Sequence, residues 1–167
     1  METTHKEAPN IDLRIPCKRH AAARAREKVR VAARKWGLDS ERVEDLVTAV
    51  GEACGNAIEH SESLGLSVLL TRTDRGVEVR IRDEGAGFSP LEQLRKLPDP
   101  LAERGRGLYL IEKLVDWLGI RSSPGKGTEI HLVKYFPKKA APDWAPVEPD
   151  VWSEYTRTLH AKYGSIS

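Results

Sequence analysis

Four short runs in this chain hold residues whose types and spacing could do chemistry. Glu52, Asn56 and His60 recur at i, i+4 and i+8, which on a helix puts them in one row. A carboxylate one turn from a carboxamide can hold a hydrated Mg2+ and orient a hydroxyl or water for attack; a solvated helix face carries the same residue types. His60, at the end of that row, suits capping or dipole needs better than catalysis. In Asp83-Glu84-Gly85-Ala86-Gly87, directly after a strand-like run, the aspartate can accept a hydrogen bond from an exocyclic amine such as that of adenine. Gly85 and Gly87 would let a ligand come close to the backbone, although an ordinary turn reads the same way. Gly105-Arg106-Gly107 opens a helix-patterned segment, where free N–H groups and the helix dipole favour phosphate. It is not a dinucleotide fingerprint, which would need glycine at Leu110 and a preceding strand. Gly125-Lys126-Gly127-Thr128 resembles part of a P-loop but leads into a strand, so a β-turn is expected there.

The elements that must position these residues follow from apolar periodicity. Ile11, Leu13 and Ile15 alternate with charged residues as a half-buried strand would, and Pro16 closes it. A helix is expected over 18–36, with Ala22, Ala25, Val29, Ala32 and Trp36 on one face and Gly37 at its C-cap. A second begins at Asp39 or Ser40, with Val43, Leu46, Val47, Val50, Cys54, Ala57 and Ile58 as its apolar stripe. Strands over 66–72 and 77–82 are joined by Asp74-Arg75-Gly76. A charged, proline-bearing loop fills 83–107, a third helix runs to about Leu118, and a hairpin turning over 122–127 ends in a strand over 128–136. Beyond Pro137 the composition shifts to prolines and aromatics, with an extended linker and a short helix over 151–163.

Composition narrows the class. The 167 residues carry 27 Lys plus Arg against 25 Asp plus Glu, a net charge of +2 that gives no reason to expect nucleic acid or an anionic membrane as main partner. No apolar run reaches the length of a membrane span, and METTHKEAPN lacks a signal-peptide core, so a cytoplasmic protein is expected. Cys17 and Cys54 stand far apart, and no zinc-ligand spacing can be assembled.

Taken in order, these runs resemble the N, G1, G2 and G3 boxes of the GHKL ATPases: Glu-x3-Asn-x3-His on a helix, strand-Asp-x-Gly-x-Gly, a lid, Gly-x-Gly opening a helix, and Gly-Thr on a final strand. Within that superfamily, residues 45–57 (DLVTAVGEACGNA) and 104–111 (RGRGLYLI) resemble the small anti-sigma factor serine kinases. Histidine kinases are disfavoured because no upstream helix pair with a phosphoacceptor histidine is present; His20 lies in an Ala/Arg helix.

The resemblance implies a Bergerat ATP-binding fold over 11–136: a two-layer α/β sandwich whose mixed, mostly antiparallel sheet is covered on one face by helices. It leaves residues 1–10 as a flexible start and 137–167 as a tail. It implies Glu52 as general base toward a partner's serine, Asn56 as Mg2+ ligand, and Asp83 as acceptor of the adenine amine. Gly85 and Gly87 would shape the adenine wall and Thr128 finish it. Gly105, Arg106, Gly107 and Leu108 would face the phosphates of ATP, and Arg26 would contact a partner, although an Arg-rich helix also carries solvated arginines. The implied partners are a sigma factor, a STAS-domain antagonist and a second copy of the chain. A switch kinase that binds no sigma factor, and a non-catalytic nucleotide-gated module, are the competing readings. Gly51 and Gly55 depart from the family's usual Ser and Thr at some cost in helix propensity, through close packing or drift. Trp144, Trp152 and Tyr155 of the tail are expected to cover the domain's own surface, with a sheet edge, a neighbouring subunit or a partner as alternatives.

Overall fold

The computed structural model describes residues 10–16, 18, 20–60, 65–87 and 107–137. Of the start expected to be flexible over 1–10, Asn10 opens a strand and the rest lies outside them, as do the helix expected over 151–163 and Gly105 and Arg106. Five strands, β1 (Asn10–Pro16), β2 (Gly65–Arg72), β3 (Gly76–Asp83), β4 (Trp117–Ser122) and β5 (Thr128–Tyr135), form one sheet in the order β1-β2-β3-β5-β4. Every pairing in it is antiparallel. Three helices, α1 (Ala21–Trp36), α2 (Ser40–His60) and α3 (Gly107–Leu114), lie on one face of the sheet, giving the expected two-layer α/β arrangement.

Strand alternation produces the layers. Ile15, Leu66, Val68, Leu70, Val77, Val79, Ile81, Ile120, Ile130 and Leu132 are buried toward the helices, while Asp12, Arg14, Arg80 and Arg82 point to solvent. On that outer face His131 and Val133 are exceptions, only 1% and 2% exposed. The His131 ring meets Trp117 edge-on at 5.1 Å, and its Nε2 lies 3.0 Å from Glu78 Oε2.

The helix ends are set by local chemistry. Gly37 takes φ 106°, and the N–H groups of Gly37 and Leu38 both reach back to the Ala33 carbonyl, closing α1 in a left-handed cap. Asp39 caps α2: its Oδ1 accepts the Arg42 N–H at 2.9 Å, which holds the Asp39 carboxyl below its ordinary range. The third helix stops at Leu114 rather than the expected Leu118. The apolar positions 111, 114, 115 and 118 fit a helix, but the sheet captures the backbone first. Asp116 N–H donates to the Val133 carbonyl at 2.9 Å, and Asp116 Oδ2 accepts the Tyr135 N–H at 2.7 Å, so Leu118 becomes an inward residue of β4.

On α2, a methyl group built at Gly55 meets nothing within 4 Å. Gly55→Ala should therefore stabilise the fold by about 0.5–1 kcal/mol through lower unfolded-state entropy. Urea denaturation of the two proteins checks this; unchanged or lower stability would mean that the glycine answers a constraint beyond helix propensity.

Candidate functional site

The apolar stripe of α2 faces the sheet and its neighbouring helices, with Leu46, Val50, Ala53, Cys54 and Ala57 all buried. Burial of that stripe leaves Glu52 and Asn56, one turn apart, half-exposed at its border. The start of α3 lies directly against them. A methyl group on Gly107 would stand 3.1 Å from Asn56 Nδ2, 3.2 Å from Asn56 Oδ1 and 3.5 Å from Glu52 Oε2. A carboxylate, a carboxamide and the amino end of a helix thus converge, and a side chain at 107 would press on the Asn56 carboxamide.

A second cluster sits where β3 ends. Asp83 continues the inward alternation of Val77, Val79 and Ile81 and is buried. Its Oδ1 accepts the Gly85 N–H at 2.8 Å, and the N–H of Thr128, opposite it on β5, also donates to it. Burial pushes the Asp83 carboxyl above its ordinary value, and these two backbone donors pull it part of the way back. The turn after Asp83 packs against the β4–β5 turn: Gly125 N–H donates to the Ala86 carbonyl at 2.6 Å, and Ser122 Oγ lies 2.8 Å from Thr128 Oγ1. Gly87 (φ 65°) and Gly127 (φ 75°) are left-handed, and any side chain there would run into the backbone of the facing turn.

A family profile described as the histidine kinase-like ATPase domain matches residues 15–134. The chain belongs to this family. An anti-sigma F factor of Bacillus licheniformis is 38% identical to it over 124 residues, covering 68% of this chain and 85% of that one. A serine-protein kinase RsbW of Bacillus velezensis is 31% identical over 137 residues, covering 75% of this chain and 84% of that one. The crystal structure of the RsbU and RsbW domains of a Mycobacterium tuberculosis protein shares the fold, with a TM-score of 0.60 at 22% identity over 79% of this chain and 34% of that one.

Within this ATPase domain the structure groups Glu52 and Asn56 with Gly107, and Asp83 with Gly85, Gly87 and Thr128. Leu108 is half-buried against the core beside Gly107. Mg2+ typically keeps most of its shell as water and phosphate oxygen and takes one or two protein oxygens. The carboxamide oxygen of Asn56, beside the Glu52 carboxylate, is a donor set of that kind. Arg26 on α1 reaches the same region: a methyl group on Gly51 would stand 2.9 Å from Arg26 Cδ, so the arginine stem crosses α2 one residue before Glu52. Close packing, of the two readings open for Gly51, is what the structure contains. Arg30, bridging to Glu44 at 3.1 and 3.2 Å, holds α1 on α2 in that alignment. Sequence reasoning passed over Lys134, which donates to Asp45 and Leu114 and is buried. Its signal was a charge in phase with Ile130 and Leu132 on the inward side of β5.

A carboxyl whose pKa is raised by folding stabilises the fold only below its unfolded pKa, and that contribution is lost as pH rises through the folded value. At neutral pH the Asp83 carboxylate is accordingly a cost. Asp83→Asn should leave the nucleotide-free protein at least as stable at pH 7, with the difference from wild type narrowing as pH falls. Loss of a charged acceptor should weaken ATP binding about 10- to 100-fold. Thermal melts across pH and calorimetric titration with ATP measure both; a variant much less stable at pH 7 would make Asp83 a structural acceptor instead.

Proposed function

We propose that the chain is an anti-sigma factor and ATP-dependent protein-serine kinase, which holds a sigma factor and phosphorylates a serine on a small STAS-type antagonist. The observation that supports this most is the junction of Glu52, Asn56 and Gly107, where a base, a metal ligand and a helix start meet. In this reading Asp83 accepts the adenine amine, Gly85 and Gly87 let the base lie against the backbone, and Thr128 closes that end. The N–H groups of Gly107 and Leu108, with Gly105 and Arg106 before them, receive the phosphates. Asn56 would hold Mg2+ through its carboxamide oxygen, and the ion would supply neutralisation of phosphate charge. Glu52 takes the seryl proton as the serine oxygen bonds to the γ-phosphorus and the bond to the β-phosphate oxygen breaks, releasing ADP. A carboxylate so placed acts by aiming the nucleophile as much as by accepting its proton.

Arg26 serves the partner side in this reading. Its stem is seated on Gly51, so its guanidinium is offered to a protein docked beside Glu52. A second copy of the chain pairs through β1, which forms one edge of the sheet and carries half-buried Ile11 and Leu13. No helix among the described residues is long and apolar enough to cross a membrane, in keeping with action in the cytoplasm on a transcription partner.

Glu52→Ala should retain ATP binding while phosphoserine formation on the antagonist falls by at least about 100-fold. Mass spectrometry of the antagonist after timed incubation reads this out, and transfer at the wild-type rate would remove Glu52 as the base. Gly51→Ala should displace the Arg26 stem and weaken sigma-factor capture about tenfold with ATP affinity unchanged. Equal capture by both proteins would take Arg26 out of the interface.

A further inference from the structure

Lys134 is a buried cation well inside the helix-covered face of the sheet. Its Nζ donates to Asp45 Oδ2 at 2.9 Å and to the Leu114 carbonyl at 2.7 Å. Leu114 is the last residue of α3, and Asp45 lies on α2 seven residues before Glu52. The two helices therefore touch twice. At one place Lys134 joins the first half of α2 to the carboxyl end of α3; at the other, Glu52 and Asn56 meet Gly107 at the amino end of α3.

We propose that Lys134 is a positioning residue for the phosphate end of the site, a strut that aims the amino end of α3 by holding its carboxyl end. This rests on reading the Glu52, Asn56 and Gly107 junction as the phosphate and Mg2+ end of an ATP site. An eight-residue helix is about 12 Å long and has little stability of its own. It is packed near its middle by fully buried Ile111, so displacement of one end tilts the other in the opposite sense. A cation at a helix carboxyl end is also favoured by the dipole, and it satisfies a carbonyl that the helix leaves without an internal partner. An apolar side chain could fill the same volume, but it would set neither the rotation nor the height of α3. Buried ion pairs add little stability over well-packed apolar residues, so the geometry they impose is the more telling consequence here.

The test uses the full chain and two substitutions, Lys134→Met and Asp45→Asn. Asp45 is one-third exposed, so its variant keeps the fold even if removal of the lysine does not. Calorimetry gives dissociation constants for Mg-ATP and for adenosine, which lacks the phosphates. Hydrogen exchange follows the amides of α3. Each variant is expected to lose about tenfold in affinity for ATP and none for adenosine, with faster exchange across α3 in the ATP-bound state. An ATP-to-adenosine affinity ratio equal to that of wild type, at whatever melting temperature, would make Lys134 a purely structural residue and overturn the strut. If wild type itself binds ATP no better than adenosine, the phosphate-site reading fails and takes the strut's role with it; that result is separate, because it appears before any substitution is made.

Discussion

The position of Glu52 is dictated by what surrounds it on α2. That helix is packed by α1, α3, β3 and β5, and its buried residues, from Val43 through Ala57, fill one continuous arc of about 160°. Successive residues on a helix differ by about 100° in direction, so a rotation of α2 by about 60° would carry Glu52 into the buried layer and turn Val43, Val47 and Cys54 out of it. Core packing and site geometry are therefore one constraint. The aliphatic stripe sets the rotation, and the rotation delivers a carboxylate and a carboxamide to the edge of the helix layer, where α3 begins. Gly107 completes this because, without a side chain, its backbone comes close to the Asn56 carboxamide.

At the end of β3 the structure is fixed mostly by backbone contacts. The turn after β3 and the turn before β5 are locked together by the Gly125–Ala86 hydrogen bond and by left-handed glycines at 87 and 127. Each glycine lies against the carbonyls of the opposite turn, so the two turns hold a single relative position. Asp83 is thereby presented from a rigid strand end rather than from a free loop, with one oxygen held by the Gly85 N–H. A carboxylate with its rotamer set in this way loses little entropy on meeting a donor.

Much of this was legible in the sequence, for identifiable reasons. Period-2 and period-3.6 patterns marked the strands and helices, and Gly37 and Asp39 marked the break between α1 and α2, because local chemistry decides those features. The row of Glu52 and Asn56 and the runs around Asp83 and Gly107 were visible by residue type, and their order carried the family. What escaped was set by contacts distant in sequence. The end of α3 is decided by hydrogen bonds from Asp116 to β5, which outcompete a helical apolar pattern reaching Leu118. Sequence leaves Gly51 open between close packing and drift, and the Arg26 stem lying across it decides for packing; a lysine in a core strand has no local explanation without Asp45, 89 residues away.

The two charges buried toward the helix layer, Asp83 and Lys134, separate by how completely the protein satisfies them. Lys134 has a carboxylate and a helix-terminal carbonyl within 3 Å, so its charge is met and held in one place by the chain itself. Asp83 has two backbone N–H donors and no cation among the described residues acting on it, and desolvation is the largest influence on its carboxyl. An ionised carboxylate offers about four acceptor positions. Two backbone N–H groups are the donors that the described residues supply to it. Folding alone would favour an amide or an apolar residue at 83, so Asp83, unlike Lys134, is a buried charge that the fold itself does not call for. The left-handed glycines near it answer a different demand, that of packing: Gly87 and Gly127 each press against backbone of the facing turn, where no side chain fits.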